Sequence, residues 1–214
     1  MNFRKAVFFL AAVAIVSCVS ASAQVGVYGM FTADELSNIA SSPLPLPPDS
    51  TASAFARSNS VNPLGGTGGA YWDFMKLGPV RLGVDARGSI LSTKRGAYLN
   101  FDGPGARIYS VLGGVRASFH TPIAALRPYI QGSVGLGRSD YGLYVGRPAS
   151  TAPLPNLVFS NLEWQGLAGV DVRLLPMLDW RMVEFGYGGL DPFGTYSHNY
   201  PIKQVSSGFV VHFK

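Results

Sequence analysis

The sequence predicts an all-β protein: an eight-stranded antiparallel up-and-down transmembrane β-barrel behind a cleaved leader. Four observations lead there. Apolar residues recur at every second position over long segments, the spacing of a strand with one apolar face. Asp, Glu, Lys and Arg make up only 14% of the 214 residues, against roughly 25% in soluble proteins. Yet beyond the N-terminus no apolar run approaches the roughly 18 residues of a spanning helix. Long and short connections also alternate, as expected of barrels with long outer loops and short periplasmic turns.

Arg4 and Lys5 precede an apolar run, Ala6 to Val16, and a small-residue stretch ending Ala21-Ser22-Ala23. That is the three-part secretory pattern, with cleavage expected between Ala23 and Gln24. The run is too short to be a membrane anchor. Ile15-Val16-Ser17-Cys18 leaves open a lipoprotein signal, in which Cys18 would be acylated. Cys18 is the single cysteine, so a chain cleaved after Ala23 has none, which excludes disulfides and Cys-based metal sites. Residues 1–23 are thus assigned to the leader and 24–214 to the barrel domain. The expected location is the outer membrane of a Gram-negative cell envelope, with both termini periplasmic.

Eight strands follow in order. The first runs from about Gln24 to Phe31, with Val25, Val27 and Phe31 on one face. The second, Gly68 to Lys76, turns Ala70, Trp72 and Phe74 one way and Tyr71 and Asp73 the other. Leu77-Gly78-Pro79 is a tight turn. The third, Val80 to Arg87 with a reach to Leu91, alternates Val80, Leu82, Val84 and Ala86 with Arg81, Gly83, Asp85 and Arg87. The fourth is Arg107 to Phe119, the fifth Arg127 to Ser139, the sixth Phe159 to Leu174. The seventh, Trp180 to Gly189, sets Val183, Phe185 and Tyr187 against Glu184. The eighth is Ile202 to Phe213, with Val205, Phe209, Val211 and Phe213 outward. Thr32–Thr67, Ser92–Ala106, Asp140–Val158 and Leu190–Pro201 are the long connections. Leu77–Pro79, His120–Leu126 and Leu175–Asp179 are the short ones. The proline run within Ser41 to Pro48 suits an extended, exposed loop.

Turning the apolar alternates to lipid leaves Asp73, Arg81, Asp85, Arg87, Arg116, Arg127, Glu163, Asp171, Arg173 and Glu184 for the lumen. These are five acids and five bases. One sign would suggest a selective pore. A balanced set suggests ion pairs closing the interior, which in eight strands is just wide enough for side chains to fill. A narrow passive pore for small solutes is the alternative. Trp72, Phe119, Tyr129, Tyr141, Trp164, Trp180 and Phe213 lie near strand ends, where an interfacial aromatic girdle is expected.

The net charge is +5, or +3 without Arg4 and Lys5. The cations are scattered, so nucleic-acid binding is not expected. His120, His198 and His212 lack metal-ligand spacing, and neither a metal nor a cofactor is expected. Ser197-His198-Asn199 invites comparison with outer-membrane lipid A deacylases, whose His activates a Ser. Here, however, Ser precedes His in an expected loop, and neighbours on a strand would face apart. No catalytic residue is assigned.

Gln24-Val25-Gly26-Val27-Tyr28-Gly29, the segment Arg127-Pro128-Tyr129-Ile130-Gln131-Gly132-Ser133-Val134-Gly135-Leu136-Gly137 and the ending Ser207-Gly208-Phe209-Val210-Val211-His212-Phe213 together resemble the OmpA/OmpX-like outer-membrane β-barrel domain family. The resemblance implies a barrel embedded in outer-membrane lipid and lipopolysaccharide. It also implies delivery by periplasmic chaperones to the barrel-assembly machinery. Phe213 would be the terminal aromatic signal, here followed by Lys214. No separate peptidoglycan-binding domain is expected after it. The implied role is non-enzymatic: envelope structure or surface interaction.

Overall fold

The computed structural model describes residues 24–37, 60–93, 107–122, 125–140, 158–192 and 199–213. The leader, the proline run, Tyr141, Ser197 and His198 lie outside them. The strands are β1 (Gln24–Ser37), β2 (Ser60–Val61), β3 (Leu64–Leu77), β4 (Val80–Ser92), β5 (Arg107–Phe119), β6 (Leu126–Asp140), β7 (Val158–Leu175), β8 (Leu178–Pro192) and β9 (Tyr200–Phe213). All pair antiparallel. Each long strand pairs with the next, and β9 closes on β1 along Val25↔Phe213 to Leu36↔Ile202. The two-residue β2 pairs only with the end of β1, so the closed barrel has eight strands. Closure matters in lipid, where each unpaired backbone group costs several kcal/mol.

The β3–β4 and β7–β8 hairpins turn on two residues each, Gly78-Pro79 and Pro176-Met177. Gly78 sits at φ 59°. A positive φ at the first turn position matches the right-handed strand twist, and glycine adopts it without a Cβ clash. Gln24 pairs with Asp73 and Val25 with Phe213, so both described ends of the barrel domain lie at the short-turn end.

The wall is apolar outside. Val27, Phe31, Val111, Val115, Ile130, Val134, Leu136, Phe185, Val205 and Phe209 are all exposed, and their neighbours along each strand point into the lumen. Trp72, Phe119, Trp180 and Phe213 are exposed near the short turns, and Trp164 toward the loops. Tyr129, expected among them, is instead buried in the lumen. Its place in β6 gives it the parity of Gln131 and Ser133, not that of Ile130 and Val134.

Toward the loop end the pattern inverts. Leu36, Leu91, Ile108, Leu190, Tyr200 and Ile202 form an apolar cluster inside the barrel. Outside, Lys203 Nζ meets Glu35 Oε2 at 3.3 Å, both exposed. The strands therefore outrun the membrane. They are 13 to 18 residues long, where about 9–11 suffice to cross a bilayer. This is why β1 continues to Ser37, past the expected end at Phe31.

Candidate functional site

The lumen is filled by an alternating column of rings and guanidinium groups. Arg116 lies between Tyr71 and Tyr129, its Cζ 4.0 and 3.9 Å from their ring centres. Arg181 lies between Tyr129 and Tyr28, at 4.6 and 4.5 Å. Arg87 follows beyond Tyr28 at 5.8 Å. The order is thus Tyr71, Arg116, Tyr129, Arg181, Tyr28, Arg87. Each flat cation is attracted to the negative faces of the rings beside it, an interaction worth more where water is excluded.

Carboxylates bridge the cations from the side. Asp171 takes Arg116 Nη2 at 2.8 Å and Arg181 Nε at 2.8 Å. Glu184 takes Arg87 Nη1 at 2.9 Å and Arg181 Nη1 at 3.5 Å. Asp85 takes Arg87 Nε at 3.2 Å. The tyrosine hydroxyls complete the set: Tyr28 donates to Asp85 Oδ2 at 2.9 Å, and Tyr129 donates to Glu184. Gln131 Nε2 donates to Asp85 at 2.7 Å. Three acids and three arginines thus cancel, which is what burial demands of charges. On Arg116, Nε and Nη1 have no hydrogen-bond partner among the described residues; the two tyrosine rings cover the guanidinium in place of solvent.

Glycines make room for the rings. In each case the tyrosine faces a cross-strand glycine: Tyr28 opposite Gly69, Tyr71 opposite Gly26, Tyr129 opposite Gly169. A Cβ on Gly169 would stand 2.6 Å from Tyr129 Cζ, and one on Gly69 2.5 Å from the Tyr28 hydroxyl. The tyrosines lie flat across the wall because nothing projects there.

Below the column, Asp179 Oδ2 pairs with Arg127 Nη1 at 3.3 Å and with His212 Nε2 at 2.7 Å. With Nε2–H donating to the carboxylate, Nδ1 is left to accept from the Tyr71 hydroxyl at 3.3 Å. Above the column, Glu163 accepts from Ser110 and from Gln165 Nε2, beneath the apolar cluster.

The ten residues expected in the lumen are distributed unevenly. Asp85, Arg87, Arg116, Asp171 and Glu184 join the column. Asp73 and Glu163 are buried but outside it. Arg81 and Arg127 are half-buried at the short-turn mouth, Arg81 Nη1 donating to Gln24 Oε1 at 2.7 Å. Arg173 is exposed, a correction, because it lies beyond Asp171 where β7 leaves the barrel for its turn.

Sequence reasoning missed Arg181, the centre of the column, which has no exposed surface. Simple alternation gives Arg181 the outward face of Val183 and Phe185. Met182, however, is an extra residue: Val170 pairs with Val183 and Asp171 with Arg181, and the β9 register shifts at the same place. This bulge turns both Arg181 and Glu184 inward. Asp179 and His212 were missed as well. The one available signal was the three Tyr–Gly pairings, visible only once register is known.

No family model matches the chain, and no curated protein matches it. Solved structures do. The crystal structure of Neisserial surface protein A (NspA) matches with a TM-score of 0.53 at 16% identity, over 90% of this chain and 99% of that one. The attachment invasion locus protein Ail of Yersinia pestis, in complex with the heparin analogue sucrose octasulfate, matches with a TM-score of 0.53 at 8% identity, again over 90% and 99%. With its closed antiparallel ring and lipid-facing apolar wall, the chain has the fold of the small eight-stranded outer-membrane β-barrels, in keeping with the OmpA/OmpX-like resemblance of its sequence.

Proposed function

We propose that the protein is a non-enzymatic outer-membrane barrel whose lumen is closed, and that it acts through its outer loops, in surface interaction or envelope structure. The observation that carries this reading is the tyrosine–arginine column, which fills the bore and is capped by the apolar cluster of Leu36, Leu91, Ile108, Leu190, Tyr200 and Ile202. A bore filled in this way offers no wetted path for a solute. The barrel then serves as a rigid mount, and recognition belongs to the loops it carries. The similarity to the attachment invasion locus protein Ail, whose structure holds the heparin analogue sucrose octasulfate, makes sulfated glycans a class of surface partner to test. The short turns and both ends of the barrel domain are assigned to the periplasmic side, the long loops to the outside.

Planar-bilayer recording of the purified protein tests the closed lumen. Insertion without discrete conductance steps is expected. Steady single-channel steps would replace this reading with that of a narrow pore.

A further inference from the structure

The described charges that reach the surface are balanced differently at the two ends of the barrel. At the short-turn end they are Lys76, Arg81, Arg127 and Arg173, exposed or half-buried, while the acids of that end, Asp73 and Asp179, are buried. At the loop end the described surface charges are of both signs: Glu35 and Asp191 against Arg138 and Lys203. Lys76 stands directly across from Arg81 in the β3–β4 ladder. Like charges set opposite each other are destabilising unless an anion lies between them. Neither Lys76 nor Arg173 has an ion-pair partner among the described residues. The same rim carries exposed apolar side chains at its turns, Leu77, Leu175 and Met177. These are suited to the boundary between acyl chains and headgroups, not to open water.

We propose that this rim is a binding surface for anionic phospholipid headgroups of the leaflet that meets the short turns. Lys76, Arg81 and Arg173 supply the positive charge, Arg127 being paired with Asp179. Leu77, Leu175 and Met177 seat the turns among the first acyl carbons. The proposal rests on the reading of the chain as a membrane barrel. A phosphate diester supplies one delocalised negative charge that ammonium and guanidinium groups can share, and basic residues close to an anionic lipid surface are attracted to it. The surface gives the barrel a leaflet preference that its apolar belt alone does not, because the belt is satisfied by any acyl chain.

The chain's three tryptophans supply the test. Trp72 and Trp180 lie near this rim and Trp164 toward the other end, all reaching the outer wall. The full barrel is reconstituted in phosphatidylcholine vesicles containing phosphatidylglycerol, with one of the two lipids brominated near the headgroup. In W164F, brominated phosphatidylglycerol should quench more than brominated phosphatidylcholine at equal mole fraction. In W164F/K76Q/R173Q the preference should fall, by roughly fivefold per basic residue removed, with the heat-modifiable gel shift retained. In W72F/W180F, where Trp164 reports, quenching by the two lipids should be equal. Equal quenching of W164F by both lipids overturns the proposal, as does a preference that survives K76Q/R173Q or is as strong at Trp164. A protein that enters no vesicle would overturn the barrel reading itself and this rim with it.

Discussion

Replacing Arg181 with Met removes the middle cation of the lumen column and keeps an unbranched side chain of similar reach. The loss comprises the contacts to Asp171 at 2.8 Å and to Glu184 at 3.5 Å and two ring faces. Three buried carboxylates would then face two arginines. Breaking a buried pair from one side costs about 3–5 kcal/mol, and each desolvated ring contact adds about 0.5–2 kcal/mol. That is a large share of an ordinary stability of about 5–15 kcal/mol. The double variant R181M/E184Q sharpens the test. It leaves Arg87 with Asp85 and Arg116 with Asp171, two complete pairs and no net charge. The double should therefore cost less than the two single changes together, with a coupling of about 1–3 kcal/mol. The assay is urea-dependent folding into lipid vesicles, followed by the gel shift and by tryptophan fluorescence. If R181M folds within about 1 kcal/mol of the parent, or if the two changes add without coupling, charge balance does not hold the column together.

Deleting Met182 should remove the bulge and leave Arg181 and Glu184 two positions apart on a regular strand, both still facing the lumen; the heat-modifiable band should persist, and its loss would refute the reading of Met182 as the inserted residue. Gly169→Ala should push Tyr129 off the wall and destabilise by about 1–3 kcal/mol, measured by the same urea titration, whereas Gly132→Ala, where an added Cβ meets nothing within 4 Å, should change little.

The fold was legible because a bilayer imposes one rule on all eight strands. Arg107–Phe119 needed no adjustment, and its outward Val111 and Val115 and inward Arg116 stand where period 2 puts them. The strand tops were harder to read for a physical reason. Above the lipid the outside is water, so Leu36 and Ile202 turn inward and Glu35 and Lys203 outward. A reading in which apolar means outward stops there. Arg181 was hidden differently. One inserted residue changes its parity, and no side-chain pattern announces a bulge. Tyr129 was misplaced because a tyrosine is as acceptable at a membrane interface as against a buried arginine. What decides between them is the glycine opposite, on another strand.

The exchange of faces along each strand also acts as a ruler. On β9 the outward apolar positions run from Val205 to Phe213, and Lys203 already faces out beyond them. At the rise of a tilted strand this interval spans roughly 19–22 Å of bilayer. The height at which apolar side chains change sides therefore fixes the hydrocarbon thickness the barrel accepts. Moving that crossing by two residues, with the fold and the lumen untouched, would refit the protein to a thicker or thinner membrane.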